Sequence, residues 1–316
     1  MKRALDIVII NWNSGDQLKN CLDSIVETDK DNFILERVVV VDNASSDGSS
    51  DYLDFNLPLE IIRNPQNRGF GVACNQGAKE SDADYILFFN PDACLYKDSL
   101  TKCVAFMDKI ENSGVGILGI QLLDQYGIIS RTCARFPTLS RFLSKMIGAD
   151  KIFPRHCRSH FMTEWDHKQS REIDHVIGAF FFVRNNLFKN LGGFDELFFV
   201  YLEDLDFSCR ARQAGWKSFY LTEAQAFHKG GGTSDQIKAT RLFYSLRSRI
   251  QYSYKHFNAL EALTVLVGTL SIEFLARILF AIGKLSLSDL SETFQGYQKL
   301  WVNLPRMGYD RWRDPL

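Results

Sequence analysis

Apolar runs alternate with amphipathic stretches along the first third of the chain. Helices are predicted at 18–25, where apolar residues recur at helical spacing, and at 70–79. The apolar runs have the length and the β-branched or aromatic content of strands, and they cover 5–11, 37–41, 59–62 and 85–89. The run RVVVV is apolar at successive positions, which is typical of a central parallel strand covered on both faces. Strands and helices in this order predict an α/β fold with a mostly parallel sheet and helices on both faces.

The pattern changes after the first third. Two further strands are predicted at 114–124 and 174–184, and a helix is predicted from Glu203 to about Gln213. The segment 131–172 has no clear periodicity, and we expect a long, partly ordered insertion of the kind that contacts substrate. From Asp235 to its end the chain is predicted to be mostly helical. At the start, Ser14 and Gln17 predict a capping box for the first helix.

Charge and cysteine content narrow the class of protein. The net charge of −1 gives no electrostatic reason to expect a nucleic-acid partner. The seven cysteines are scattered without a C-x-x-C pair, which predicts reduced, mostly buried thiols in a cytoplasmic protein. The N-terminal MKRALDIVIINWN is expected to be a first strand rather than a signal peptide, because Asp6 interrupts its short apolar run.

A short polar loop follows each of the first four predicted strands. In an open parallel sheet, ligands bind beyond the carboxyl ends of the strands, so these loops would share one edge. Turn chemistry explains any one of the loops, but four in succession favour a nucleotide site. Asp42 is placed to accept from a base or ribose, Arg68 either meets a phosphate or forms a surface ion pair, and Gly69 permits close backbone approach.

Two other nucleotide-binding classes fit poorly. A Rossmann dehydrogenase needs G-x-G-x-x-G directly after the first strand, where this chain has NWNSG. The P-loop pattern G-x-x-x-x-G-K-[ST] does not occur in the sequence.

A second acidic region precedes and opens the predicted helix at 203. Glu203 and Asp204 follow an aromatic stretch that would exclude water, and a carboxylate in such surroundings can serve as a general base. The alternative is that these acids only stabilise the helix dipole. His228 precedes three glycines, and it is either a structural histidine or a metal ligand beside a carboxylate.

Six motifs occurring in order between residues 1 and 234 resemble family 2 glycosyltransferases, in particular their rhamnosyltransferase-type branch. They are VIINWNSGDQLKNCLDSI, VVVVDNASSDGS, NRGFGVACNQG, LFFNPDA, GGFDELFFVYLEDLDFSCR and FHKGGGTS. The resemblance implies a GT-A fold over 1–234, a nucleoside-diphosphate-sugar donor such as dTDP-L-rhamnose, and inversion through a single displacement. A UDP-sugar donor carrying GlcNAc, Gal or GlcA is the alternative within this fold.

The resemblance also implies roles for individual residues. Where the family usually has Asp-x-Asp, this chain has Asn90-Pro91-Asp92, so Asp92 is expected to contact Mg²⁺ or Mn²⁺, with His228 joining it. Asp204 maps onto the catalytic base, and Glu203 is expected to orient the acceptor or support the helix start. The donor pocket is expected to involve Asn11, Asn13, Asp42, Asn67, Arg68, Gly69 and Asn90.

The C-terminal region, 235–316, lies beyond these motifs. Its segment 262–282 is long enough to span a bilayer, but Glu273 and Arg277 offset the favourable insertion of its apolar residues. Thr269, Glu273, Arg277 and Lys284 fall on one helical stripe, so we expect an amphipathic helix that lies on the membrane or packs in a homodimer, with a membrane span and a buried core helix as alternatives. This predicts a peripheral protein at the inner face of the plasma membrane with a lipid-linked glycan acceptor in surface polysaccharide synthesis. A non-catalytic nucleotide-sugar-binding subunit or a membrane scaffold are the alternatives of another class.

Overall fold

The structure is a computed structural model that describes residues 2–51, 53–230 and 238–304. The chain divides into two compact units. The sheet unit comprises the described residues of 1–136, 162–196 and 203–233, and the helical unit those of 137–161, 197–202 and 234–316. The boundary predicted at 234 and most of the glycine run after His228 lie outside the described residues.

The sheet unit contains one large mixed sheet. Within the described residues its strand order is β3-β2-β1-β4-β10-β6-β11-β5, with β8 also paired to β11. The strands are β1 Arg3–Asn11, β2 Phe33–Asp42, β3 Leu59–Arg63, β4 Tyr85–Phe89, β5 Ala93–Leu95, β6 Val115–Leu123, β8 Arg171–Ile173, β10 Phe180–Arg184 and β11 Lys217–His228, while β7 Cys133–Ala134 and β9 His175–Val176 form a separate pair. Strands β3, β2, β1 and β4 are mutually parallel, and β10 runs antiparallel to β4.

Helices cover both faces of this sheet. Helices α1 and α3 pack on one face, and α2, α6 and α7 pack on the other. They are α1 Asp16–Glu27, α2 Phe70–Ala78, α3 Ser99–Met107, α6 Asn185–Asn190 and α7 Glu203–Gln213. Alternate residues of each central strand enter the two cores, as Val38 and Val40 do on one side and Val39 and Val41 on the other. The uniformly apolar strand runs of the sequence are therefore explained by two-sided burial.

Two local predictions were wrong. The first helix has no capping box, because Gly15 is its N-cap and the Ser14 hydroxyl donates instead to Asn11 Oδ1. The segment 174–184 is not one strand but two, β9 and β10, separated by residues 177–179. The chain leaves the sheet there because the Gly178 N–H bonds to a carboxylate on α7.

The helical unit contains α4 Leu139–Met146, α5 Ala149–Ile152, α8 Lys238–His256, α9 Ala259–Gly268, α10 Phe274–Gly283 and α11 Leu287–Asn303. A π-helical turn, Thr269–Glu273, joins α9 to α10 without a break. The core includes Phe243, Leu246, Ile250, Tyr297 and Leu300. The prediction of an irregular insertion was wrong for 139–152, which forms helices with Phe142 and Met146 buried four residues apart.

The helix over 259–283 is the one helix in the described chain that is long and apolar enough to cross a membrane by length and composition, and 28% of its most apolar window is buried in the protein. Its outward face is apolar. The exposed side chains on it are Leu260, Leu263, Val267, Ile272, Leu275, Leu279, Phe280 and Ile282. The polar stripe predicted from the sequence points the other way, since Thr269 and Glu273 are buried.

Candidate active site

The loops after β1 and β2 form one hydrogen-bonded network. Asn11 and Asp42, which end these strands, are paired in the parallel register. The Asn11 amide donates to Asp42 Oδ1 at 2.8 Å and to the hydroxyls of Ser45 at 3.1 Å and Ser49 at 2.9 Å. The Asn13 side chain accepts from the Ser46 backbone N–H at 2.8 Å. These contacts fix the Asp42 carboxylate at the strand edge, where its remaining lone pairs can accept from a base or ribose.

Asn43 ties this network to the loop after β3, and sequence reasoning missed it. Its amide donates to Asn67 Oδ1 at 3.0 Å and to the Gly69 carbonyl at 3.1 Å, while its Oδ1 accepts from the Arg68 backbone N–H at 3.0 Å. The position of Asn43 directly after Asp42 could have indicated this role. However, asparagine is common in turns, so a turn explained the residue equally well.

Arg68 and Gly69 stand at the start of α2. The Arg68 side chain is exposed and forms no ion pair with any described residue, so of the two predicted roles the surface ion pair is absent from the described chain. Gly69 has φ of +89°, a conformation that L side chains rarely adopt. A backbone turn followed by a helix N-terminus suits an anionic group, and the Arg68 guanidinium is free to reach one.

Asp92 and His228 come together although they lie far apart in the sequence. Strand β5 follows Asp92 and pairs antiparallel with the end of β11, which sets Ala93 opposite His228. The His228 Nε2 atom consequently lies 3.3 Å from Asp92 Oδ1, and both side chains are about one-tenth exposed. Asn90, the other predicted residue of this loop, donates its backbone N–H to the Ala179 carbonyl at 3.1 Å.

The Asp204 carboxylate is held at the start of α7. Its Oδ2 accepts the Gly178 N–H at 2.7 Å, and its Oδ1 accepts the Leu205 N–H at 2.8 Å. A Cβ at residue 178 would lie 3.2 Å from Asp204 Oδ2, a tight contact that would displace the carboxylate. The side chain remains 16% exposed, which leaves the carboxylate accessible to a substrate hydroxyl.

Glu203, the neighbouring acid, is in a different environment. Its side chain is buried, and Oε2 has no hydrogen-bond partner among the residues that the structure describes. Burial, with the nearby Asp204 and Asp206 charges, raises the pKa of Glu203 well above its usual range. Adjacent carboxyls whose environments differ in this way are suited to different roles. Because it is buried, Glu203 has little surface to offer an acceptor.

One edge of the sheet carries the network around Asp42, the Asp92–His228 pair and the Asp204 carboxylate. Strands β1, β2 and β4 are parallel and end there, and β10 begins there because Phe180 is paired with Phe89. Asn90 contacts Ala179, which follows the Gly178 that holds Asp204. The hydrogen-bonded network around Asp42, an Asp–His pair and an accessible carboxylate are thus arranged around the same strand ends.

Comparison with known proteins identifies the family of this chain. The profile described as glycosyl transferase family 2 matches residues 6–133, and the profile described as glycosyl transferase family group 2 matches 85–294. The N-acetylglucosaminyl-diphospho-decaprenol L-rhamnosyltransferase of Mycobacterium tuberculosis is 26% identical over 259 residues, covering 77% of this chain and 81% of that protein. The rhamnosyltransferase WbbL of Escherichia coli K12 is 24% identical over 255 residues, covering 78% of this chain and 91% of WbbL.

The fold is also found in solved structures. The mannosyltransferase PcManGT from Pyrobaculum calidifontis, solved with GDP-Man and Mn²⁺, has a TM-score of 0.52 at 18% identity and covers 98% of this chain and 88% of its own. This likeness shows a GT-A-like fold. With a family profile matching most of the chain, the protein belongs to glycosyltransferase family 2 and is a glycosyltransferase.

Proposed function

We propose that this enzyme transfers L-rhamnose from dTDP-L-rhamnose, with inversion, to a lipid-linked glycan during synthesis of a bacterial surface polysaccharide. The names of the relatives in M. tuberculosis and E. coli support the sugar, and the first of them also supports a lipid-diphosphate acceptor. The region 1–234 would carry the transfer reaction, and 235–316 would contact membrane or acceptor. The observation that carries the proposal is the placement of the Asp92–His228 pair and the Asp204 carboxylate at one sheet edge.

The Asp92–His228 pair fits a divalent cation that binds together with the donor. One carboxylate oxygen and one imidazole nitrogen face each other at 3.3 Å, and both belong to side chains that are mostly buried. In the described part of the chain, no cluster of three or more His, Cys, Asp or Glu residues could hold a metal. Two protein ligands leave positions for diphosphate oxygens and water, which suits Mg²⁺ or Mn²⁺. When bound there, the cation supplies positive charge for the leaving diphosphate.

The chain's own residues then account for the transfer. Asp42 and the amides around it bind the nucleoside, and the turn at Arg68 and Gly69 meets the phosphates. Asp204 removes the proton of the acceptor hydroxyl as that oxygen attacks the anomeric carbon. The Gly178 N–H holds Asp204 Oδ2, so the carboxylate is oriented before the acceptor arrives. One displacement without a covalent intermediate inverts the configuration.

A nucleotide-sugar panel tests both the donor and the metal. We expect the purified full chain to release dTDP from dTDP-rhamnose in the presence of a lipid-diphosphate acceptor, to lose activity in EDTA and to regain it with Mn²⁺ or Mg²⁺. Asp92→Asn should lower kcat by roughly 10²-fold, because the diphosphate loses its metal contact. His228→Ala should weaken metal activation less, because it removes one neutral ligand.

The controls separate these claims. Lys19→Ala changes an exposed residue whose ion pair in the described part of the chain is with Asp23 on the same helix, and its metal dependence should be that of the unmodified enzyme. Release from a UDP-sugar instead of dTDP-rhamnose would overturn the rhamnosyl assignment but keep the site. Full activity of Asp92→Asn in EDTA would overturn the metal assignment.

We further propose that the exposed apolar face of the 259–283 helix lies on the cytoplasmic surface of the plasma membrane. Leu275 and Leu279 are 59% and 68% exposed, and Leu263 and Val267 continue the same face. At the end of the helix the Lys284 side chain is 67% exposed, and the exposed Trp301 of α11 contacts Phe274. Tryptophan and lysine flanking an apolar surface are typical of a helix at the lipid headgroup level.

Vesicle binding tests this surface. Leu275→Glu combined with Leu279→Glu should reduce binding to anionic phospholipid vesicles by roughly 10²-fold, because two leucines would no longer enter the apolar layer. Ile110→Glu changes an 89% exposed isoleucine of the sheet unit and should leave vesicle binding unchanged. Equal binding by the double variant, or a change only in its oligomeric state, would contradict the membrane assignment and favour self-association.

A further inference from the structure

His175 is a buried titratable residue next to Asp204 that the mechanism above does not use. It lies on β9, its side chain is 5% exposed, and its Nε2 atom is 3.6 Å from Asp204 Oδ2. Its other ring nitrogen, Nδ1, is 3.1 Å from the Ser208 hydroxyl on α7. No local pattern singles out this histidine, because its partners Asp204 and Ser208 lie on α7, a distant segment of the chain.

The hydrogen bonds of the Ser208 hydroxyl indicate which nitrogen of the His175 ring carries the hydrogen. The Ser208 hydroxyl donates its single hydrogen to the Asp204 backbone carbonyl at 2.9 Å. It can therefore only accept from His175, so Nδ1 carries the ring hydrogen. In the neutral ring Nε2 then has a lone pair and no hydrogen, and this lone pair faces Asp204 Oδ2.

Burial, which outweighs the neighbouring carboxylates, favours the neutral ring. Burial lowers the pKa of His175, while the Asp204 and Asp174 carboxylates raise it by less, so the net shift is downward. Asp174 is the adjacent residue in the chain, and it is engaged by the Phe136 N–H at 3.1 Å and by Arg212 at 3.8 Å. Asp204 is the charged group that faces the ring from α7. With both partners unprotonated, two lone pairs oppose each other across the 3.6 Å gap.

We propose that His175 is a positioning residue for the base, and that its bare Nε2 completes a one-proton site with Asp204 Oδ2. The inference rests on the proposed role of Asp204. During transfer the acceptor O–H bond breaks, the acceptor oxygen bonds to the anomeric carbon, and the bond to the diphosphate oxygen breaks with its electron pair. The proton released from the hydroxyl comes to lie between Asp204 and His175, and it leaves to solvent after the product departs.

This arrangement stabilises the Asp204 carboxyl only after it has taken up the proton. The hydrogen bond between Nε2 and the protonated carboxyl does not exist before proton transfer, so it stabilises the transition state more than the substrate complex. The Gly178 N–H bond to the same oxygen is present throughout and only orients the carboxylate. His175 should accordingly affect kcat and its pH dependence, and not donor binding.

His175→Gln tests the inference. The side-chain amide of glutamine would donate an N–H to the ionised Asp204 carboxylate. This stabilises the unprotonated form of Asp204 and makes it a weaker base. We expect the acid limb of the kcat/KM profile to move to lower pH by about one unit, and the plateau kcat to fall roughly tenfold. The donor KM should not change.

Ser208→Ala provides a second, smaller change, since it removes the acceptor that fixes the tautomer. The ring can then carry its hydrogen on Nε2 and donate to Asp204, so the acid limb should move in the same direction. His167→Gln is the matched control, because His167 is an equally buried histidine of the sheet unit that bonds to Cys133 and Trp165. The acid limb of the kcat/KM profile of His167→Gln should not move.

The outcomes distinguish this inference from the proposed function. If Asp204→Asn is inactive and neither His175→Gln nor Ser208→Ala moves the acid limb, His175 is only structural and the inference is overturned. If Asp204→Asn keeps its turnover, the base assignment and the inference fall together. A shift of the limb by His167→Gln equal to that of His175→Gln would also overturn it.

Discussion

Asp204→Asn should abolish transfer while the enzyme still binds its donor. The amide cannot take the proton of the acceptor hydroxyl, and loss of a general base lowers kcat by about 10²- to 10⁴-fold. Asparagine retains an oxygen that can accept the Gly178 N–H, so the fold around α7 should persist. The measurement is kcat with donor and acceptor at saturation, together with calorimetric titration of the donor.

Glu196→Gln is the matched control for this prediction. Glu196 belongs to the same acidic motif, but its Oε1 accepts from Asn75 of α2 at 3.1 Å and does not contact Asp204. Its kcat should stay within about threefold of the unmodified enzyme. If Asp204→Asn turns over at a rate comparable to this control, the base is another residue.

The fold was largely predictable because its signals are local. Two-sided apolar runs identify central strands, and helical spacing identified α1, α2 and α7 with boundaries close to those observed. Where two local interpretations competed, prediction was less successful. Ser14 fits a capping box, yet its hydroxyl bonds to Asn11 because the strand-end network needs that contact. Nothing in the sequence near Ser14 distinguishes the two.

The sequence named candidate site residues but did not reveal the geometry that brings them together. Asp92 and His228 were paired by resemblance, and the physical cause is the β5–β11 register, which no local pattern encodes. Gly178 lies within a run that looks like one continuous strand, so its bond to Asp204 could not be anticipated. Asn43 and His175 were missed for the same reason, since their importance depends on partners brought from distant segments.

The sequence predicted a polar stripe on the 259–283 helix, but it did not show whether this stripe faces solvent or the protein interior. Thr269, Glu273 and Arg277 form a polar stripe, as the spacing predicted, but Thr269 and Glu273 face into the helical unit. The Arg249 guanidinium of α8 donates to Glu273 and to Thr269, and the Tyr297 hydroxyl of α11 donates to the Thr269 carbonyl at 3.0 Å. Arg249 is therefore engaged within the helical unit.

Replacing Glu273 with Ala should cause the largest loss of stability in the helical unit. The Glu273 side chain is 4% exposed and also accepts from Arg277 at 2.8 Å. Removing it leaves the Arg249 charge buried without its partner, a change that costs about 3 to 5 kcal/mol. Hydrogen exchange of the full chain, followed by mass spectrometry, should show faster exchange in peptides of α8 and α10 and unchanged exchange in β1 and β4.

Two further variants and the pH dependence identify the cause as the buried charge. Glu292→Gln removes a more exposed carboxylate, 3.7 Å from Lys238, and should cost less than about 1 kcal/mol. Arg249→Met combined with Glu273→Leu should recover most of the protection, because neither charge remains buried. If the double variant exchanges as fast as Glu273→Ala, lost packing rather than an unpaired charge is responsible.

The same pair makes the helical unit sensitive to acid. Burial raises the pKa of Glu273, but Arg249 and Arg277 together lower it by more, so the folded-state pKa lies below the ordinary value for a glutamate. A carboxyl with a depressed pKa contributes stability above its unfolded-state pKa, and this contribution is lost as the pH falls through the folded-state value. Protection of α8 and α10 should therefore decline below about pH 4 in the unmodified chain, and this decline should be absent in the Arg249→Met, Glu273→Leu variant. An unchanged acid response in that variant would show that other carboxylates control the stability of the unit.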